Sequence, residues 1–438
     1  MDEYGQFWGQ FHKALKAANP DCHRPPTRGE EQPPPIDYKP DLVKNITLPD
    51  RIILPDGDKR KLRKAHAAFL ASLSGGNAPK PPYKLGTKGM VSTVGGDKLP
   101  VFITSLYMLR WTGSQLPVEL FVANDAEYDP YICETLLPSL NARCIILQHI
   151  LRFSPLEEGL KGYQFKIFSL LFSSFEDVLF FDADAFPMRD PAPLFTSEPF
   201  ASSGLVTWPD FWQVTYHPAF FEVTSQPLPT AFDHPSTESG QLLISKRSHS
   251  KLLLLSTYYN FYGPEIYYPL LSQGYPGEGD KETFIAPAKI LNLPFYAVSA
   301  GPSVIGYTQN DGQWKGGVML QADPSWDANP SNKDRYGWTG KPRTPPDGMF
   351  SFHANIPKLE PVSVFGENGL VWTADGKPKR MWGPTQDLVN IVGYDIEKTV
   401  WKACEQTACE LEGNFLYWDD KPRLCDKIRR FIQDMSSS

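Results

Sequence analysis

The sequence predicts an α/β protein with a mostly parallel sheet and helices on both of its faces. Three observations carry that prediction. Short apolar strands alternate with helical segments from residue 89 onward. Val178-Leu179-Phe180-Phe181 is apolar throughout, as a central strand covered on both faces requires. The 438 residues are 41% hydrophobic and 13% aromatic, enough apolar surface for such a layered core.

The elements follow in chain order. Phe7-Trp8-Gly9-Gln10-Phe11 reads as an aromatic helix start. Proline fills 42 of the 438 positions, roughly twice average usage, and clusters at 24–40 and 79–82. These clusters flank a helical piece at 59–73, so residues 1–88 are expected to form a helical, Pro-rich extension. A core domain is expected over 89–365 and a helical segment packed on it over 366–438. The core opens with the strand Met90-Val91-Ser92-Thr93-Val94, closed by Gly95-Gly96-Asp97. A helix at 98–112 follows, then strands at 118–122 and 144–147. The next helix, 163–175, lines up Phe165, Phe168, Phe172 and Phe175 on one stripe before the apolar strand. Later helices are expected at 248–261, 395–411 and 421–435.

Composition narrows the function. The net charge is −7, and no basic block offers a footprint for a nucleic-acid partner. No run of about 18 apolar residues is present, so no spanning helix is expected. The acidic start Met1-Asp2-Glu3 does not resemble a signal peptide. The six cysteines contain no CxxC pair and fit no zinc template. Disulfides and buried thiols both remain open. Asn45-Ile46-Thr47 is a glycosylation sequon, meaningful only in a secretory compartment.

Parallel α/β sheets bind ligands beyond the C-terminal ends of their strands. Asp182-Ala183-Asp184 stands there, directly after the apolar strand. In extended chain, residues i and i+2 point the same way, so both carboxylates can address one cation. Hard oxygen donors suit Mn²⁺ or Mg²⁺ rather than zinc. Such an ion bridges the diphosphate of a nucleotide sugar and stabilises the leaving group. A pair of turn aspartates is the plain alternative. His353 ends the apolar run Met349-Phe350-Ser351-Phe352 and is a candidate third ligand or a structural histidine. Lys358, five residues on, is a candidate to neutralise a phosphate or a solvated surface lysine.

Three more segments have two readings each. Gly277-Glu278-Gly279-Asp280-Lys281-Glu282-Thr283 is a solvated loop, or an acceptor-facing loop whose Asp280, Lys281 and Glu282 position a hydroxyl. Glu238-Ser239-Gly240-Gln241 lines a cleft at a strand start, or forms a turn. Trp208-Pro209-Asp210-Phe211-Trp212 sets indoles around a carboxylate, suited to stacking on and bonding to a sugar, or to core packing.

Taken in order, several motifs resemble the fungal Golgi α-mannosyltransferases that branch mannan, a family with α-1,2 and α-1,3 enzymes. They are Tyr163-Gln164-Phe165-Lys166, the run 173–184 ending in Asp182-Ala183-Asp184, and Leu205-Val206-Thr207-Trp208-Pro209-Asp210-Phe211-Trp212. Glu238-Ser239-Gly240-Gln241, the run 258–264, Gly279-Asp280-Lys281-Glu282-Thr283-Phe284 and His353-Ala354-Asn355 complete the set. The resemblance spans residues 7–365. It implies a GT-A glycosyltransferase fold, GDP-mannose as donor, a mannose-containing glycan as acceptor, Mn²⁺ as metal and retention at the anomeric carbon. It also implies a type II membrane protein of the Golgi lumen, although no anchor is visible in this sequence. Carried over by residue, Asp182 and Asp184 hold the metal with His353 as third ligand. Thr93 and Asp97 approach the nucleotide, Lys166 lies near the donor and Lys358 meets the diphosphate. Asp280 and Glu282 position the acceptor, in front-face attack or in a covalent route through Glu238 or Glu282. A GT-A transferase using a UDP-sugar and an inactive glycan-binding homologue are the alternatives.

Overall fold

The computed structural model describes residues 3–29, 32–38, 47–75, 78–232, 234–277, 279–308, 312–335, 344–366, 369–373, 375–418 and 423–437. Asn45 of the sequon and Glu278 of the glycine-rich loop lie outside them. The strands, in chain order, are β1 (Lys84–Thr93), β2 (Val118–Val122), β3 (Ala142–Ile146), β4 (Phe175–Phe181), β5 (Ala185–Pro187) and β6 (Leu205–Pro209). They continue as β7 (Thr237–Ser245), β8 (Tyr296–Ala297), β9 (Ser303–Thr308), β10 (Trp314–Ala322) and β11 (Met349–Ala354).

The chain forms two compact units. The first comprises 1–91, 147–180 and 200–299; the second comprises 92–146, 181–199 and 300–438.

In the first unit the strands lie in the order β1-β4-β7-β6-β8. β1 runs parallel to β4, with Met90 opposite Leu179. β6 runs parallel to β8 and antiparallel to β7. The helix before β4 is Gln164–Phe172. It stops short of Phe175, because Ser173 turns extended (ψ 145°) and its Oγ accepts the Phe175 amide. Phe175 therefore opens β4 and does not continue the helical stripe. The expected strand at 144–147 likewise ends at Ile146, and Leu147 starts a short helix.

Residues expected as an extension are part of this unit's core. The helix Glu3–Ala17 buries Trp8, Phe11 and Leu15 completely. Trp8 meets the edges of Phe168 and Phe172, and its Nε1 donates to the Ser154 carbonyl at 2.9 Å. In the helix Asp56–Ser72, Phe69 stacks on Tyr258 at 4.3 Å. Each such side chain, fully buried, is worth about 1.5–3 kcal/mol in transfer free energy. A cut at 88/89 would thus remove core residues rather than a stem.

In the second unit β2 and β3 pair in parallel, Val118 opposite Ala142. A separate antiparallel sheet has the order β5-β11-β10-β9. The apolar helix Leu99–Trp111 packs on Ile396–Leu411, where Thr104 and Thr407 hydroxyls bond at 3.1 Å. The C-terminal helix Leu424–Ser437 is tied back by the Cys409–Cys425 disulfide, and Cys133–Cys144 is a second disulfide. Cys22 and Cys404 are free thiols. Among the described residues no helix is long and apolar enough to cross a membrane.

The α/β class thus stands, with parallel pairs β1/β4, β2/β3 and β6/β8. The four-stranded antiparallel sheet is an addition that strand–helix alternation does not announce.

Candidate metal centre and a buried acid cluster

β4 delivers the chain, apolar and buried, to Asp182. Beyond it the backbone turns rather than staying extended: the Ala185 amide donates to the Asp182 carbonyl at 3.0 Å. The two carboxylates therefore converge through a turn, not through the strand pleat the sequence suggested. β5 then pairs with β11, Ala185 opposite His353 and Phe186 opposite Phe352. Phe186 stacks on Phe352 at 5.0 Å, which fixes this register. The Ala354 amide donates to the Asp184 carbonyl at 2.9 Å. One carboxylate oxygen each from Asp182 and Asp184 and a ring nitrogen of His353 then lie within 4.8 Å of one another.

The centre is electrically tense. Asp184 is 5% exposed and His353 8%. His353 Nε2 lies 3.3 Å from Asp184 Oδ1, and the Lys358 ammonium pairs with Asp184 Oδ2. Burial works to raise the Asp184 pKa, but the His353 and Lys358 charges outweigh it and hold the carboxyl below its usual range. Asp184 is thus kept ionised, as a cation ligand must be. Two carboxylates and one imidazole, without a thiolate, form a donor set that fits Mn²⁺ or Mg²⁺.

Thr93 and Asp97 are close in sequence but differ in setting. Thr93 Oγ1 donates to the Phe121 carbonyl at 3.1 Å, which anchors the end of β1. Asp97 is exposed and pairs with its neighbour Lys98 at 2.9 Å.

The first unit holds a second cluster, centred on a bulge in β7. Trp208 pairs with Glu238 while the adjacent Thr207 pairs with Leu242, so Ser239, Gly240 and Gln241 bulge out of the ladder. Glu238 flanks that bulge, and both its carboxylate oxygens accept from the Gly240 amide, at 2.9 and 2.8 Å. The bulge brings Ser239 to Lys166, whose Nζ donates to the Ser239 carbonyl at 2.6 Å and to its Oγ at 3.0 Å. Asp280 completes the group, 3.2 Å from Lys166 Nζ and accepting from Ser239 Oγ at 2.9 Å. Both charged side chains are almost fully buried.

Glu282 is saturated. It accepts from Tyr216 Oη at 2.9 Å, Ser236 Oγ at 2.8 Å and the Thr237 amide at 3.0 Å. Burial, with the Glu282 charge second, pushes the Tyr216 hydroxyl well above its usual range, so it stays a donor. Asp210 and Lys281 form a close ion pair. Burial raises the Asp210 pKa, against the pull of Lys281. Trp208 is 1% exposed. It has no open face for a sugar, so of the two predicted readings core packing is the one observed. Trp212 in the same segment is half-buried.

Comparison with known proteins places the chain in a family. The family model described as "Mannosyltransferase putative" matches residues 87–235 and 222–323. The α-1,2-mannosyltransferase MNN2 of Saccharomyces cerevisiae is 34% identical over 82% of this chain and 70% of its own length. This chain belongs to that mannosyltransferase family. The α-1,2-mannosyltransferase MNN21 of Candida albicans is 32% identical over 86% of this chain and 66% of its own length. The chain thus spans about two thirds of the length of these curated relatives. Among solved structures, the glycosyltransferase GlyE of Streptococcus pneumoniae superposes with a TM-score of 0.33 at 12% identity, over 49% of this chain and 45% of that one. That likeness is too slight to carry an argument.

Within this chain, two supporting residues escape sequence reasoning. Ser105, buried on the helix Leu99–Trp111, donates to the Ala183 carbonyl at 2.7 Å and so holds the turn between the two aspartates. Gly317 lies on β10 beneath the segment that carries Lys358. Its carbonyl accepts the Ile356 amide at 3.0 Å, and a Cβ there would lie 1.9 Å from the Ile356 carbonyl oxygen. A serine among many and a glycine among 33 carry no such signal in a linear chain.

Proposed function

We propose that this chain transfers mannose from GDP-mannose to a mannose-containing glycan, forming an α-1,2 linkage with retention, and that it uses Mn²⁺ or Mg²⁺. The observation that carries the reading is the convergence of Asp182, Asp184 and His353 in a chain of a mannosyltransferase family. Asp182, Asp184 and His353 would hold a divalent ion, which would supply positive charge to offset that of the departing nucleotide.

The chain's own residues supply the rest. Asp182, Asp184 and His353 hold the ion. Lys358, whose side chain is 55% exposed, reaches a diphosphate oxygen and adds a second positive charge to the leaving group. Thr93 and Asp97 serve the nucleotide. Within the first unit, Lys166 is assigned to the donor, and Asp280, Asp210 and Lys281 to the acceptor. A covalent route needs a carboxylate free to reach the anomeric carbon. Glu282 is engaged by three donors and Glu238 by the Gly240 amide, which favours front-face attack with a diphosphate oxygen as the proton acceptor. A Golgi lumenal setting belongs to the same proposal, and two disulfides fit an oxidising compartment.

A donor panel tests the reading. GDP-mannose, UDP-glucose, UDP-galactose and UDP-N-acetylglucosamine are each offered with Mn²⁺ and an α-mannobioside, and the product linkage is read by NMR. Turnover of GDP-mannose to an α-1,2 product is expected. Turnover confined to a UDP-sugar contradicts the donor, and mannoside binding without any turnover supports the inactive-homologue alternative.

A further inference from the structure

A cavity of about 560 Å³ opens within the second unit, lined among others by Gly306, Thr308, Trp314, Lys379, Trp382 and Asp387. None of these belongs to the metal centre. Trp314 is 64% exposed, the most open of the tryptophans among the exposed large hydrophobics. Its ring lies on bare backbone. A Cβ at Gly306 would sit 2.3 Å from the indole, and one at Gly316 would sit 3.3 Å from it. The β9–β10 hairpin thus seats an indole on two glycines and leaves much of the ring to solvent.

Trp382 closes the inner wall of the cavity, 4% exposed and stacked on Trp401 at 5.3 Å.

The charges of the lining point to a neutral ligand. Arg380 is spent on Asp395, bonding both carboxylate oxygens at 3.0 and 2.6 Å. Lys379 and Asp387 have opposite signs, so no uncompensated charge awaits an ion. An aromatic platform, the Thr308 and Thr373 hydroxyls and little net charge suit a saccharide.

We propose that this cavity is a second saccharide site, which takes a mannose-containing segment of the acceptor glycan away from the residue being elongated. The mannose assignment rests on the proposed function; the saccharide assignment does not. Trp314 stands five residues along β10 from Met319, the cross-strand partner of His353. At about 3.3 Å per residue that is roughly 17 Å, a reach for an oligosaccharide rather than for a monosaccharide. The site therefore acts on long acceptors and is silent toward short ones.

The test uses the full chain and Trp314→Ala, with Trp314→Phe as the conservative variant. Affinity gels containing α-mannan or dextran measure binding, and initial rates are taken with methyl α-mannoside and with mannan. Trp314→Ala should weaken mannan retention about tenfold, the size of a single well-placed aromatic contact. Trp314→Phe should keep most of it. The KM for mannan should rise in parallel, with transfer to methyl α-mannoside unchanged. Unaltered mannan retention in Trp314→Ala overturns the proposal, as does an equal loss with methyl α-mannoside. Equal retention on dextran overturns the mannose assignment. Mannan binding through Trp314 without GDP-mannose turnover supports the site and sinks only the proposed activity.

Discussion

Gly317→Ala is the sharpest probe of how the fold positions Lys358. The added Cβ would lie 1.9 Å from the Ile356 carbonyl oxygen, about 1.5 Å inside the 3.4 Å at which ordinary contact begins. That oxygen is backbone, so no side-chain rotation relieves the clash. β10 is held on its other edge by β9, whereas residues 355–358 leave the sheet after β11. The shift is therefore expected in the segment carrying Lys358, moving its ammonium by about 1 Å from Asp184. Overpacking of this size costs roughly 1–3 kcal/mol of stability. A misplacement of about 1 Å at a reacting group costs up to roughly 10²-fold in rate. Steady-state kinetics on GDP-mannose should show kcat/KM reduced by about 10- to 100-fold, close to the loss in Lys358→Ala. The double variant should add little to either single one, because both act on the same contact. Mn²⁺ affinity should change less, since the Met319–His353 pairing is not touched. A Gly317→Ala enzyme with wild-type kcat/KM, folded by circular dichroism, would refute the reasoning.

Three other expectations follow from particular contacts. Ser105→Ala removes the 2.7 Å bond to the Ala183 carbonyl and should weaken Mn²⁺ binding about tenfold, read by calorimetric titration; unchanged affinity would show that the turn holds itself. His66 is held at about 4 by burial, beside Tyr259 Oη at 2.8 Å. Because this lies below the unfolded value, the contribution is complete above pH 6.5 and is lost as pH falls from 6.5 toward 4. The loss should reach about 3 kcal/mol by pH 4, and His66→Gln should flatten the melting-temperature profile across that window. Cys409→Ser opens a link across 16 residues and should cost about 3 kcal/mol in urea unfolding; an unchanged midpoint would mean the helix Leu424–Ser437 is held by packing alone.

Much of the second unit's candidate site is legible in the linear sequence. An apolar strand running into two aspartates locates the turn, and the run before His353 locates β11. The strand Val118–Val122 matches its predicted bounds. What a linear pattern lacks is partners. It assigned the convergence of Asp182 and Asp184 to the strand pleat, because nothing local marks the Ala185–Asp182 turn bond. It read Glu238 to Gln241 as a strand start or a turn, and β7 does begin there, but the bulge exists only relative to the register of β6. It left Trp208 open to a sugar because an indole's burial depends on what covers it. The first helix was seen, but helical periodicity says that a face is buried and not what it is buried against. Trp8 and Phe11 meet residues more than fifty positions away in the sequence.

The central claim is that Asp182, Asp184 and His353 form one divalent-metal site for the donor diphosphate. A Mn²⁺ titration of the full chain with GDP present, followed by electron paramagnetic resonance, tests it most directly. One bound Mn²⁺ per chain is expected, lost in Asp184→Asn and in Asp182→Asn while the fold is retained. Stoichiometric binding that survives both substitutions, or no binding to the folded wild-type chain, would contradict it.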